Sequence, residues 1–284
     1  MGAVATPTLI TVAPTGAETA KSDAPGLPVT LDELVSTAKA CEAAGAGLIH
    51  IHVRDQDARP TLDVGRLTET VAAVRGGTDL VVQLSTGGAV TDPFDARLAV
   101  LEADPDSCSL TCGSVNFGSD VFMNPWDFMV ELYRATQQRE IVPEFELFDL
   151  GHVVALHRLL DKEGPPYGGK VHCDLVLGVP GGAPGTTAAL VSLVSHLPAG
   201  ASWSATGVGR STLPVALAAL SAGGHLRVGM EDTLTFAPGR PVRDNAELVE
   251  RAATLATLAL RPAMSTDEAR ALLNVTDRRN GVGA

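Results

Sequence analysis

Short apolar runs alternate with longer mixed stretches along the whole chain. Runs rich in Val, Ile and Leu fall at residues 9–13, 48–53, 80–84, 107–112, 141–148, 170–179, 202–206 and 225–230, each bounded by Gly, Pro or polar residues. Apolar runs this short, with such punctuation, read as strands buried in a sheet. Between them, residues 30–44, 62–74, 92–102, 126–138, 151–162, 186–196, 213–220 and 245–260 read as helices, with a short extra one at 266–273. The helix ends carry signals. Thr30 and Glu33 make a capping box, Gly45 stops the first helix, Pro93 suits a first turn, and Pro262 separates the last two helices.

Eight strands, each followed by a helix, predict an α/β protein with the (β/α)8 TIM-barrel fold, as a single domain over residues 1–284. A doubly wound open sheet is the competing reading. Against it, the first strand is not followed by Gly-x-Gly-x-x-Gly, and no shift in composition marks a second domain. In a barrel, reacting groups gather where the strands run out into the loops that follow them. Polar residues at those ends therefore carry the functional argument.

Composition narrows the partners. The 284 residues are 45% hydrophobic and 19% charged, which suits one large soluble domain with a full core. A formal charge of −12 disfavours nucleic acid and anionic membrane, and 4% aromatics leave little for base stacking. No apolar run approaches the length of a membrane span, and residues 1–7 lack the basic and apolar regions of a secretory leader. Cys41, Cys108, Cys112 and Cys173 form no Cys-x-x-Cys pair. They read as buried thiols of a cytoplasmic protein, with Cys108 and Cys112 as a metal pair the lesser alternative.

His50-Ile51-His52 closes the second strand. Alternation points both imidazoles the same way, as half of a divalent metal site. Two strand histidines are also ordinary core or surface residues, so the rest of the chain must decide. Near its other end, His225-Leu-Arg227-Val-Gly229-Met-Glu231-Asp232 ends the eighth strand. Barrel closure makes strands one, two and eight neighbours, so Glu231 can complete a His-His-Glu set with an open coordination position. Arg227 faces inward on the same strand, with Asp232 placed to hold it. Arg stays protonated, so Arg227 suits an oxyanion or carboxylate clamp better than a base.

Other strand ends add parts. Glu18 follows the first strand, where a solvated loop carboxylate is an equal reading. Ser85-Thr86-Gly87-Gly88 follows the third and offers hydroxyls and free N–H groups to a carboxylate or phosphate, or is a plain turn. Ser109 and Thr111 share a face of the fourth strand, as site hydroxyls or core filler. Glu144 and Glu146 share a face of the fifth, where a buried carboxylate needs a partner or a role. Gly178 to Gly182 reads as a mobile loop. A metal with an open position, an anion cradle and an inward Arg suit a chelating oxo-acid.

Taken together, Thr15-Gly-Ala-Glu18, His50-Ile-His-Val-Arg-Asp55, Leu84-Ser-Thr-Gly-Gly88, Gly113-Ser-Val-Asn-Phe-Gly118, Pro143-Glu-Phe-Glu146, Val176-Leu-Gly-Val-Pro-Gly-Gly182 and Gly224-His-Leu-Arg-Val-Gly-Met-Glu-Asp232 resemble the β-keto acid cleavage enzymes. That family is typified by the 3-keto-5-aminohexanoate cleavage enzyme of lysine fermentation. The resemblance implies a zinc-dependent, homo-oligomeric barrel, usually tetrameric. It also implies condensation of a β-keto acid with acetyl-CoA to give acetoacetate and a new acyl-CoA. By position, His50, His52 and Glu231 match the zinc ligands. Ser85, Gly88 and Ser109, with Thr111 beside them, match positions that hold the acetoacetyl end. Glu18 matches a binder of a substrate amine. Arg227 and Asp232 match a pair that takes a proton from acetyl-CoA, with Glu146 in support. Ser109 and Thr111 stand where the family more often has Thr and Asn.

Arg54, Lys170 and Arg210 are the candidate cations for CoA phosphates. Two other readings remain at this point: a zinc aldolase or hydrolase without CoA, and a non-catalytic barrel that binds metal and keto acid.

Overall fold

The computed structural model describes residues 6–279. Eight parallel strands close into a barrel: β1 (Ile10–Val12), β2 (Leu48–Ile51), β3 (Val81–Leu84), β4 (Ser107–Thr111), β5 (Val142–Leu147), β6 (His172–Leu177), β7 (Ser202–Gly207) and β8 (His225–Val228). Each follows its neighbour in chain order, and β8 pairs with β1 to complete the ring. The helices α1 (Leu31–Ala43), α2 (Val64–Gly77), α3 (Phe94–Ala99), α4 (Trp126–Gln138), α5 (Leu150–Glu163), α6 (Thr187–Val194), α7 (Thr212–Ser221) and α8 (Asn245–Leu258) surround it. None is long and apolar enough to cross a membrane.

The α1 capping box is present, with Glu33 N donating to Thr30 Oγ1 at 3.2 Å and Thr30 N to Glu33 Oε2 at 3.1 Å. The helix expected over 92–102 ends early: α3 gives way to a 3₁₀ turn at Val100–Ala103. Asp104 is left-handed (φ 52°) and precedes Pro105, and a residue before proline is pushed out of the helical region. A last helix, α9 (Thr266–Leu273), seals the floor of the barrel. Leu273 and Ala269 pack on Leu9, Leu48 and Val81, while Arg270 donates to Leu80 O at 3.0 Å and to Asp106 Oδ2 at 3.3 Å.

Along each strand one set of side chains faces the helices. Ile49, Ile51, Leu110, Phe145, Leu175 and Leu226 belong to that main apolar core. The alternate set fills the barrel, and it is polar: Thr11, His50, Gln83, Glu144, Asp174 and Arg227 are all at most 5% exposed. Ordinary barrels fill this space with branched aliphatic side chains. Buried polar groups are costly unless they satisfy one another, so this interior must hold a built network.

Several strands end one or two residues short of expectation, and two of those ends shape the site. β2 stops at Ile51 because Val53–Arg54 turns away to pair with Pro60–Thr61. β8 stops at Val228 because β1 and β8 converge there: a Cβ on Gly229 would lie 1.9 Å from Ala13 O. The segment Gly178 to Gly182 is tied down, with Gly182 N donating to Val179 O at 3.0 Å and Gly118 N to Pro180 O at 3.0 Å. The leader reading rests largely on residues 1–5, which lie outside the described residues.

Candidate active site

His50 and His52 lie at the mouth end of β2, and their rings meet edge to face with centroids 5.3 Å apart. Glu231 arrives from the bend after β8. Its Oε1 is 4.0 Å from His50 Nε2 and its Oε2 is 3.6 Å from His52 Nε2. One ligand atom from each of the three lies within 4.8 Å of the others. Among the described residues this is the grouping of His, Cys, Asp and Glu that could share an ion, and Cys108 and Cys112 take no part in it.

The residues fit a divalent cation on three counts. Glu231 Oε2 is buried with no hydrogen-bond partner, an arrangement a cation would complete. Burial, and then the Arg227 charge, lower the His50 imidazole to about 4, which keeps it neutral as a ligand must be. Burial alone would raise the Glu231 carboxyl, but Arg227 and the two imidazoles outweigh it and hold the group well below the usual carboxylate range.

Arg227 is the hub. Its Nε and Nη2 donate to Asp232 at 3.2 and 3.1 Å, Nη2 donates to Glu231 at 2.5 Å, and Nη1 donates to Glu146 at 3.2 Å with Asp174 at 3.8 Å. Burial would lower this guanidinium, yet the surrounding carboxylates raise it well above its ordinary value. Arg227 is therefore a fixed cation. A single guanidinium among four carboxylates leaves excess negative charge that a bound dication would offset. Burial raises Asp174 to about 6 and Asp232 to about 7, with Arg227 opposing each shift.

These groups open into a cavity of about 260 Å³. Glu18, Ser85, Gly88, Glu146, Arg227 and Asp232 line it together with the triad. Phe117, Phe122, Phe148, Val176, Val179 and Val208 form an apolar wall. Ser109 and Thr111 do not reach the cavity. Ser109 Oγ accepts from Thr86 N at 3.2 Å, and Thr111 Oγ1 donates to Glu146 Oε2 at 2.7 Å. Both hydroxyls brace the wall from behind. Gly16 carries the Glu18 loop past Glu231: its φ is +64°, and a Cβ there would sit 2.7 Å from Glu231 Cγ.

The three CoA-phosphate candidates separate. Arg54 is buried and donates to Gly16 O at 2.7 Å and Thr19 O at 2.9 Å, so it braces the Glu18 loop. Lys170 precedes β6 and so lies at the floor, opposite the cavity. Arg210 follows β7 at the mouth and is exposed.

Sequence reasoning missed Gln83, Asp174 and the apolar wall. Gln83 is the register partner of His50, and Asp174 is the register partner of Glu146 on the neighbouring strand. The rule applied to Glu144 and Glu146 would have found Asp174.

The family model described as beta-keto acid cleavage enzyme matches residues 7–275. The 3-keto-5-aminohexanoate cleavage enzyme of Acetoanaerobium sticklandii is 36% identical over 273 residues, covering 94% of this chain and 98% of that protein. The 3-oxoadipate:acetyl-CoA acetyltransferase of Cupriavidus necator is 33% identical over 273 residues, covering 95% of each. In fold, apo ObcA matches 88% of this chain and 66% of its own, with a TM-score of 0.80 at 20% identity. With the barrel, the converging triad and near full-length matches in agreement, the chain belongs to the β-keto acid cleavage enzyme family.

Proposed function

We propose that this chain is a zinc-dependent acyltransferase working as a single catalytic domain. It converts a β-keto acid and acetyl-CoA into acetoacetate and a new acyl-CoA. The observation that carries this reading is the triad His50, His52 and Glu231 set beside the Arg227–Asp232 pair in one cavity. Two His and one carboxylate with an open position are the donor set of catalytic zinc. Bound there, zinc supplies Lewis-acid polarisation of a keto oxygen.

The chain's own groups divide the remaining work. Gly87 N donates to Ser85 Oγ at 3.1 Å, which shapes the turn where Ser85 and Gly88 cradle the substrate carboxylate. Arg227 adds fixed positive charge, held in place by Glu146 and Asp174. A guanidinium this heavily paired cannot act as the base, so Asp232 takes the proton from the acetyl methyl group. Reactants and products carry the same charge, so the same carboxylate returns that proton within the cycle.

The names of the two relatives share a keto acid substrate but differ in its distal substituent, an amine in one and a carboxylate in the other. The distal end is therefore read locally. Glu18 at the rim favours a cationic substituent such as that of 3-keto-5-aminohexanoate, and the Phe and Val wall covers its aliphatic part. Arg210 is placed to meet CoA phosphates. The four free, buried cysteines suit a reducing cytoplasm, and the exposed Leu258 and Leu260 suit association of copies into a homo-oligomer.

The test is a panel of β-keto acids given to the zinc-loaded protein with acetyl-CoA. Acetoacetate release that needs both zinc and acetyl-CoA supports the reading. Turnover without acetyl-CoA would replace it with an aldolase or hydrolase, and binding without turnover with a sensor. Glu18→Gln should lower kcat/KM about threefold for a cationic keto acid and leave a neutral one unchanged.

A further inference from the structure

Below the catalytic groups lies a second polar layer that the reaction does not touch. Gln83 stands next to His50 in register on β3. His50 Nδ1 donates to Gln83 Oε1 at 2.6 Å, and Gln83 Nε2 donates to Ser107 Oγ at 3.1 Å. Glu144, inward on β5, is 2% exposed, and neither of its oxygens has a hydrogen-bond partner among the described residues. His172 Nε2 lies 3.4 Å from Glu144 Oε2, and its Nδ1 is 2.8 Å from Ser202 Oγ.

This layer has a directional logic. An imidazole binds metal through a nitrogen that carries no proton, so its proton must sit on the other nitrogen. His50 Nε2 is the atom that faces Glu231 and the metal position. Its Nδ1 must then keep a hydrogen, and it needs an acceptor buried beside it. Gln83 supplies that acceptor only while its oxygen, not its NH2, faces His50. An isolated amide in this place could flip. Ser107 Oγ, on the opposite side of the amide, accepts from the NH2 at 3.1 Å in that orientation.

We infer that Gln83 is a positioning residue that locks His50 in the metal-binding tautomer. The inference rests on the metal site proposed above and extends it by one shell. Nothing is transferred along the chain; its effect is to remove the competing tautomer before metal arrives.

The experiment measures zinc affinity of the purified, metal-stripped full-length protein by competition with a chromophoric chelator. Gln83→Leu removes the acceptor and should weaken zinc binding about 10- to 100-fold. Gln83→Glu restores an acceptor and should return affinity to within about threefold of wild type, while Gln83→Met, of similar size but without that acceptor, should stay weak, a split that a merely space-filling role would not predict. Thermal unfolding of the metal-stripped forms shows whether each variant is folded. If Gln83→Leu does not fold, the comparison of Gln83→Glu with Gln83→Met decides instead: equal affinities overturn the inference, and weaker binding by Gln83→Met supports it. Tight zinc binding by wild type and by Gln83→Leu alike overturns the role of Gln83 and leaves the metal site standing. No zinc binding by wild type overturns the metal site itself, and this inference with it.

Discussion

Arg227 and Asp232 grip one another across the Gly229 bend, Nε to Oδ2 at 3.2 Å and Nη2 to Oδ1 at 3.1 Å. The same guanidinium also reaches Glu231, so the Arg227–Asp232 pair and the candidate metal triad share one short segment. A two-pronged grip of this kind needs the planar fork of arginine. Arg227→Lys keeps a positive charge but cannot serve Asp232, Glu231 and Glu146 together. It should retain zinc while kcat falls by about 100-fold or more. Steady-state kinetics beside metal analysis checks this; full activity would remove Arg227 from the mechanism.

His52 tests the metal reading from the other side. Its imidazole lies 3.6 Å from Glu231 Oε2, and among the described residues it has no neighbour like the Gln83 amide that meets His50 Nδ1 at 2.6 Å. His52→Ala leaves two protein ligands, too few for a catalytic zinc site. Bound zinc should drop from ~1 equivalent per chain to under ~0.1, and activity should vanish with it. Activity surviving in a zinc-free variant would count against the metal.

Gly16 offers a test that touches no ligand. The left-handed turn it makes leaves Glu231 the space it occupies, and an added Cβ would press on Glu231 Cγ at 2.7 Å. Gly16→Ala should therefore displace the carboxylate and weaken zinc about tenfold or more, a displacement comparable to loss of an outer-shell partner. Isothermal titration of the metal-stripped protein measures the effect. Unchanged affinity would show that Glu231 has room to yield.

The polar interior also makes a claim about pH. Burial, then the nearby Asp174 and Glu146, raise Glu144 from an ordinary 4.5 to about 8. A carboxyl with a higher pKa in the folded state binds more protons there than in the unfolded chain. Its contribution to stability is thus fullest below about 4.5 and falls as pH rises to about 8. In the metal-stripped protein, the urea midpoint of wild type relative to that of Glu144→Gln should decline from pH 5 to pH 8. A difference that does not change with pH would show that Glu144 makes no such contribution.

Local order was legible in the chain because it depends on neighbours in sequence. The run before His50, the capping box at Thr30 and Glu33, and the stops at Gly45 and Pro262 each rest on residues a few positions apart. The count of eight strand–helix units then implied closure, and closure implied that Glu231 could meet His50 and His52. What stayed hidden depends on distances between strands. Arg54 has the charge of a phosphate binder, yet folding turns it inward to hold the backbone at Gly16 and Thr19. Ser109 and Thr111 share an inward face, yet depth sets them behind the cavity rather than on it.

The order of elements, the types of the candidate metal donors and the segment that carries Arg227 with Asp232 follow from the amino-acid string alone. Strand alternation and helix periodicity are short-range rules that any stretch of chain obeys. Which carboxylates surround Arg227, which amide faces His50 and which side of the cavity is apolar were decided by barrel register. Those pairings join residues tens to hundreds of positions apart, and no local pattern encodes how far one strand slides past the next.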